Sequence, residues 1–208
     1  MPSPDTFTTG LVLAAGGSRR LGRPKQLLPL GDVPLLGHVL GTARACGFDQ
    51  LLCVLGGGAP AVRERVDLEG VEVVENPHFG EGCSSSIAAA LGAVDPRCQV
   101  LVLLLGDQPG VTTDTVSRLL AGTVSRLPAR REPAPLAVCR YDDGRGHPLA
   151  FSRAMFGELA GLHGDKAVWK LLERFAAEVA EVPVPGLIPR DVDTWEDYRA
   201  VLAASGQS

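Results

Sequence analysis

Short, uninterrupted apolar runs that end in glycine-rich or acidic turns are the feature that most limits how this chain can fold. The main runs occupy residues 11–15, 51–55, 71–74 and 100–105, and weaker ones occupy residues 136–139 and 179–184. Three of the main runs end in such turns, at Gly16, Gly56 and Gly106-Asp107. Valine and leucine runs without polar alternation are typical of strands buried on both faces, so they predict a parallel sheet.

Amphipathic stretches with helical periodicity separate these runs, at residues 34–46, 84–94, 112–127, 165–177 and 194–204. The first stretch opens with Pro34 and stops at Gly47, which is the usual order of helix start and stop signals. Alternating strands and helices predict an α/β fold, a Rossmann-like three-layer sandwich with helices on both faces of a mostly parallel sheet. At 208 residues, the chain is sized for a single domain over residues 1–208, with residues 1–9 as a disordered tail.

Composition and charge argue against several kinds of partner. The 45% apolar content suffices for a hydrophobic core, and 20 basic against 24 acidic residues give a net charge of -4. A nucleic-acid binder is expected to be basic, and 5% aromatic residues are few for stacking on single strands, so no nucleic-acid partner is predicted.

The sequence also predicts a cytoplasmic protein without membrane contact. No apolar run reaches the roughly 18–20 residues that a membrane span needs. The first ten residues hold neither the basic residue nor the apolar stretch of a secretory signal. The five cysteines are scattered and form no CxxC pair, which is typical of reduced thiols.

Ligands of open α/β sheets bind at the carboxyl ends of the strands, which places a candidate site at the three glycine-rich turns. The first turn lies within residues 13–25, Leu-Ala-Ala-Gly-Gly-Ser-Arg-Arg-Leu-Gly-Arg-Pro-Lys. Its small residues allow the backbone to approach an anion, and Arg19, Arg20, Arg23 and Lys25 place four cations within seven residues. That density favours a triphosphate over the alternative, a flexible basic surface loop.

Two common phosphate-binding loops do not match this turn. The dinucleotide pattern GxGxxG is absent. Gly17 and Gly22 have P-loop spacing, but Arg23-Pro24 replaces the lysine and hydroxyl residue that such a loop requires. The loop therefore predicts triphosphate binding of another kind.

Four further segments supply weaker candidates. The turn from Gly82 to Ser86 offers hydroxyl and N–H groups to a base or ribose, although ordinary helix capping explains it better when it is taken alone. Asp107 follows a buried strand and suits Mg²⁺, while a turn-forming aspartate explains it equally well. His147 is equally well explained as a substrate ligand or as a structural histidine of a turn.

The last segment is acidic and lies near the C-terminus. If this stretch is extended, Asp191 and Asp193 point the same way, and one of them could join Asp107 on a metal. Thr194 with Asp197 three residues later is a variant of the capping box, so part of the acidity is structural.

Taken together, the segments resemble the molybdenum cofactor nucleotidyltransferases, MobA-like NTP transferases whose fold is of the nucleotide-diphospho-sugar transferase type. Residues 13–25 with Leu-Leu-Pro-Leu at 27–30 look like the signature loop, and the segments at 76–86, 106–109, 145–148 and 191–194 match the later motifs in order. The likeness is closer to the cytidylyltransferase, because residues 14–16 are Ala-Ala-Gly where the guanylyltransferase usually has Ala-Gly-Gly. The related methylerythritol phosphate cytidylyltransferase ranks lower, since it generally has Gly-Asp-Ala-Ala-Arg-Pro where this chain has Gly-Asp-Gln-Pro.

The resemblance implies a role for each matching position. Catalysis would fall to Lys25, Arg19 and Asp107. The nucleotide would be bound by Lys25 together with Ala14, Ala15, Gly16, Gly17, Ser18, Gly82, Ser85 and Ser86. The acceptor would lie near Gly146 and His147, and Mg²⁺ would be held by Asp107 with Asp191 or Asp193.

The implied reaction is transfer of CMP from CTP to the phosphate of molybdopterin or of the molybdenum cofactor, with release of pyrophosphate. A molybdoenzyme would be the client that receives the product. Two alternatives stay open: a transferase of the same fold that uses GTP or another phosphorylated acceptor, and a cofactor-binding chaperone without catalysis.

Overall fold

The structure is a computed structural model that describes residues 6–124, 134–164 and 166–206. Its strands are β1 (Thr8–Ala14), β2 (Pro29–Leu30), β3 (Val33–Pro34), β4 (Gln50–Leu55), β5 (Glu72–Glu75), β6 (Val100–Leu105), β7 (Leu136–Tyr141), β8 (Gly144–Ser152) and β9 (Val179–Pro183). Its α-helices are α1 (Leu35–Ala45), α2 (Ala59–Arg65), α3 (Cys83–Leu91), α4 (Thr113–Val124), α5 (Phe156–Ala160), α6 (Ala167–Arg174) and α7 (Trp195–Ala204).

Seven strands form one sheet in the order β5-β4-β1-β6-β8-β7-β9, while β2 and β3 make a small separate hairpin. The pairs β5-β4, β4-β1, β1-β6 and β7-β9 are parallel, and β8 runs antiparallel to both β6 and β7. The predicted mostly parallel α/β sheet is therefore confirmed. The glycine-rich turns after β1, β4 and β6 lie side by side, because these three strands are parallel neighbours.

Helices cover both faces of the sheet, because the central strands send alternate side chains into two separate cores. In β6, Val100, Val102 and Leu104 belong to the core that includes buried residues of α1, α2 and α4. Leu101 and Leu103 belong to the other core, with α3, α5 and α6. The continuous apolar run in the sequence thus reflects burial on two sides.

A third, smaller core holds the basic loop that follows β1. Leu21 and Leu28 of this loop pack in one cluster with Val192 and with Val201 of α7. The cluster brings the loop against the acidic segment before α7, although the two are far apart in the sequence. This contact sets the geometry of the candidate site.

The predicted disordered tail over residues 1–9 is wrong for Thr8 and Thr9. Both are buried residues of β1, where Thr8 lies opposite Val100 and Thr9 opposite Gln50. The Thr8 N–H also donates to Asp49 Oδ2 at 2.7 Å, so sheet pairing begins before the apolar run does. Residues 1–5 lie outside the described residues.

The stretch at 144–152 is strand β8, which was not among the predicted strands. The strand is hard to predict because it contains Gly144, Gly146 and Pro148, and both glycine and proline are uncommon inside strands. A register shift between Val138 and Cys139 of β7 accommodates this pairing. Helices α2 and α5 were not predicted, and residues 125–127 and 165 of two predicted helices lie outside the described residues. No helix in the described ranges is long and apolar enough to cross a membrane.

Candidate active site

Lys25 is the centre of a charged cluster at the carboxyl end of β1 and β6. Its ammonium forms an ion pair with Asp107 and a second one with Asp193 Oδ1 at 2.8 Å. The lysine side chain is 11% exposed and that of Asp107 19%, whereas the side chain of Asp193 is 46% exposed. Arg20 lies at the outer side of the cluster, 3.8 Å from the other oxygen of Asp193. Three of the predicted site residues therefore meet at one point.

The loop after β1 is folded back so that Lys25 faces the sheet edge. The backbone N–H of Lys25 donates to Ser18 Oγ at 2.9 Å, and Ser18 itself has a positive φ of 50°. Gln26 holds the same loop against the end of β1, since its Nε2 donates to Ala14 O at 2.6 Å and to Gly16 O at 3.1 Å. These bonds make the loop a defined structure, unlike the flexible surface loop that was the alternative.

Asp107 is placed by close packing between neighbouring strand ends. A Cβ atom on Gly106 would lie 2.8 Å from Ala14 Cβ and 3.1 Å from Leu13 O, so the chain passes here only with glycine. Asp107 O accepts a hydrogen bond from Val192 N at 3.0 Å. This bond joins the turn after β6 to the acidic segment. It thereby positions Asp193 next to Lys25.

The pKa values of the cluster reflect three carboxylates around one ammonium. Burial lowers the pKa of Lys25, but Asp107 and Asp193 outweigh burial and hold that pKa above its ordinary value. Asp191 is an exposed residue, but partial burial of its carboxyl and the charges of Asp107 and Asp193 raise its pKa to about 6. The cluster carries excess negative charge that Lys25 alone does not balance.

A cavity of about 160 Å³ opens beside this cluster. Six predicted site residues contribute to its wall: Ala14, Ala15, Gly16, Lys25, Ser86 and Asp107. Its wall also contains Gln26, Phe79 and Cys83, which the sequence analysis did not assign to the site. Small residues on one side and a buried ammonium on the other suit a flat group bonded to an anion.

Several predicted nucleotide-binding residues lie outside this cavity. The Ser85 hydroxyl is within hydrogen-bonding distance of His78 O and Gly82 O, and it accepts from Asn76 Nδ2 at 2.9 Å. It therefore braces the turn before α3, as ordinary capping would. Gly82 has a φ of 101° and precedes α3 without lining the cavity.

The exposed part of the basic loop also lies beyond the cavity wall. Gly17 and Arg19 are exposed, and Ser18 binds Lys25 rather than facing the cavity. Contact of Gly17, Ser18 or Arg19 with a triphosphate stays a prediction.

The predicted acceptor residues do not line the cavity either. By extension of the pairing between Leu103 and Leu149, His147 lies level with the end of β6. Its ring packs edge to face on Trp169, with ring centres 5.5 Å apart, and burial lowers the pKa of His147 to about 4. A Cβ on Gly146 would lie 3.0 Å from Ile188 and 3.1 Å from Tyr141, so packing explains this glycine.

Acidic residues beside Lys25 supply oxygen ligands of the kind that a divalent cation prefers. The described ranges contain no group of three or more His, Cys, Asp or Glu residues arranged to hold a metal ion. Mg²⁺, however, commonly takes one or two carboxylates and completes its shell with waters and substrate phosphates. Asp107 and Asp193, which share the excess negative charge beside Lys25, fit a cation that arrives with a triphosphate.

The fold is shared with a solved structure of a nucleotidyl transferase. A nucleotidyl transferase from Methanothermobacter superimposes with a TM-score of 0.78 at 22% identity, over 96% of this chain and 97% of that one. The sequence model of one protein family, the MobA-like NTP transferase domain, matches residues 10–180. The chain belongs to this family. The family resemblance inferred from the sequence is thus confirmed, and with it the binding of nucleoside triphosphates as the family's common property.

More similar proteins are known within this family. A homologue of Mycobacterium tuberculosis Rv0371c from Mycobacterium sp. strain JC1 is 51% identical, with a TM-score of 0.87 and 96% of both chains covered. Rv0371c itself has been solved in complex with manganese, at 48% identity and a TM-score of 0.80, over 96% of this chain and 100% of that chain.

Two further relatives have different names. Nicotine blue oxidoreductase of Paenarthrobacter nicotinovorans is 38% identical over 152 residues, which is 71% of this chain and 72% of that protein. The bifunctional protein GlmU of Halorhodospira halophila is 40% identical over 139 residues, 64% of this chain, but the match spans 29% of GlmU.

Proposed function

We propose that the protein is a divalent-cation-dependent cytidylyltransferase that transfers CMP from CTP to the phosphate of a molybdopterin-type acceptor. The observation that carries this proposal is the buried Lys25 ammonium, paired with Asp107 and Asp193 beside the cavity lined by Ala15 and Gly16. A buried cation next to small backbone residues is suited to a triphosphate bound along the loop. The choice of CTP rests on the Ala-Ala-Gly sequence at 14–16.

In the proposed reaction, a phosphate oxygen of the acceptor attacks the α-phosphorus of CTP. A new P–O bond forms while the bond from the α-phosphorus to the bridging oxygen breaks, and pyrophosphate leaves with that electron pair. The acceptor phosphate is already ionised at neutral pH, so the step requires no general base. Catalysis then depends on position and on neutralised charge.

Lys25 supplies the neutralising charge from the protein. Because the lysine is buried, its attraction to the phosphate oxygens is not screened as it would be in water. Asp107 and Asp193 would hold a divalent cation, which supplies further positive charge to the triphosphate when bound. Until a nucleotide binds, the two carboxylates keep the ammonium at the mouth of the cavity.

The decisive experiment measures pyrophosphate release from CTP with a molybdopterin acceptor, for the wild type and for Lys25→Ala. Loss of one such cation from a desolvated site costs about 2.7–4 kcal/mol, so turnover should fall about 100- to 1,000-fold. Lys170→Ala, which removes an exposed lysine of α6, is the matched control and should keep full activity. Near-normal turnover of Lys25→Ala would remove Lys25 from the mechanism.

The same assay separates the alternatives. Faster turnover with GTP, or with another phosphorylated acceptor, would keep the transferase and change its substrate. CTP binding without pyrophosphate release would support the chaperone.

A second candidate activity comes from the relative named nicotine blue oxidoreductase. The 38% identity over 152 residues favours testing it, although the chain lacks the GxGxxG dinucleotide pattern. NADH or NADPH oxidation in the presence of a quinonoid dye would support the oxidoreductase. Pyrophosphate release without any oxidation of NADH or NADPH would exclude the oxidoreductase.

A further inference from the structure

The glycine-rich turn after β4, at residues 56–58, ends at the same sheet edge as the site, but the proposed reaction does not use it. In the structure this turn lies under the ring of Phe79. A Cβ on Gly56 would lie 2.8 Å from Phe79 Cγ, and a Cβ on Gly57 would lie 2.9 Å from Phe79 Cζ. The two ends of the ring therefore rest on two successive glycines, whose missing side chains make room for it.

Phe79 also reaches the loop that follows β1. A Cβ on Gly17 would lie 3.8 Å from Phe79 Cε2, at ordinary contact distance. The ring thus bridges the turn after β4 and the basic loop, and it stands in the wall of the cavity together with Ala15 and Ser86. Despite these contacts, Phe79 remains 36% exposed.

The backbone around Phe79 is held in place by side-chain hydrogen bonds. Asn76 Oδ1 accepts from His78 N at 2.9 Å, and His78 O accepts from the Ser85 hydroxyl at 2.9 Å. The backbone that carries the ring is consequently held in place beside the cavity. The exposed part of this aromatic ring lies at a cavity, where contact with water is unfavourable. This position indicates a ligand with an apolar face.

We propose that Phe79 is the residue on which the base of the nucleoside triphosphate stacks. The inference rests on the proposed function, because it assigns the base within the same site. A cavity of about 160 Å³ is smaller than the roughly 300–1,000 Å³ of pockets that enclose a whole drug-sized ligand, so it suits the flat base while the triphosphate extends toward Lys25. Every base has a π-face, so this contact adds affinity and does not select among bases.

The test compares Phe79→Ala with wild type in binding of CTP, GTP and inorganic tripolyphosphate, which lacks a base. Stacking on an aromatic side chain contributes about 1–3 kcal/mol, so Kd for CTP should rise about 5- to 150-fold. Kd for GTP should rise by a similar factor, and Kd for tripolyphosphate should stay unchanged. Phe79→Tyr should keep wild-type affinity for all three ligands.

Gly57→Ala provides a second, independent variant. Its new Cβ displaces the ring without removing it, so Kd for CTP should rise while Kd for tripolyphosphate does not. Gly58→Ala is the matched control, because the added Cβ has no described atom within 4 Å apart from its own chain neighbours. Its affinity for CTP should equal that of the wild type.

The outcomes separate the two proposals. If wild type binds none of the three ligands, the proposed function fails. If wild type binds CTP and Phe79→Ala binds it equally well, the stacking role is wrong and the proposed function stands. A parallel loss of tripolyphosphate affinity in Phe79→Ala would show that the ring supports the basic loop, and it would overturn the assignment to the base.

Discussion

Replacing Lys25 by methionine tests whether its ion pairs with Asp107 and Asp193 contribute to the stability of the fold. Methionine keeps most of the length of the side chain and removes the charge, which leaves Asp107 and Asp193 without their common partner. Removal of one member of a buried ion pair typically costs about 3–5 kcal/mol. Because Asp193 is 46% exposed and keeps much of its hydration, we expect a value near the lower end, about 3 kcal/mol.

Thermal unfolding should reveal this loss directly. For a domain of about 150–250 residues, 1 kcal/mol shifts Tm by roughly 2–4 °C, so Lys25→Met should unfold roughly 6–12 °C below the wild type. Asp107→Asn should be destabilised as well. The double variant Lys25→Met/Asp107→Asn should cost less than the sum of the two, because the second change removes the carboxylate that the first left unpaired.

A divalent cation should partly replace the lost ammonium. Mn²⁺ should therefore raise Tm of Lys25→Met more than it raises Tm of the wild type, since binding to the folded state alone stabilises it. Two results would refute the reasoning: additive costs in the double variant to within about 0.5 kcal/mol, or a Tm of Lys25→Met that equals that of the wild type.

Two further predictions follow from packing and from burial. Gly106→Ala should destabilise the protein by about 1–3 kcal/mol in urea unfolding, because the new Cβ meets Ala14 Cβ and Leu13 O; an unchanged midpoint would contradict this packing. His147 has a folded pKa of about 4 against an ordinary value of 6.5, so its contribution to stability is complete above pH 6.5 and is lost as the pH falls through 4. The loss amounts to about 3 kcal/mol at most, and His147→Gln should unfold with a smaller difference between pH 7 and pH 4 than the wild type; equal differences would exclude this titration.

The sequence alone was sufficient to predict the layers of the fold. The runs at 11–15, 51–55 and 100–105 contain no polar residue, and such strands are stable only between two layers of helices. Parallel strands bring their carboxyl ends to one edge, so the sequence also predicted that Lys25 and Asp107 would meet across 82 positions. Strand β8 escaped prediction because its pairing with β6 and β7 outweighs the local preferences of its glycines and proline.

The tertiary structure alone decided which of the remaining candidates share the site. Asp193 reaches Lys25 across 168 positions because Leu21 and Leu28 pack with Val192, and such contacts between distant segments leave no local pattern. Ser85 and Gly146 had the right residue types, yet one braces the turn before α3 and the other fits under Ile188. Residue type and spacing thus determined the edge where the site forms, while side-chain packing between distant segments determined its members, since only the folded chain fixes those distances.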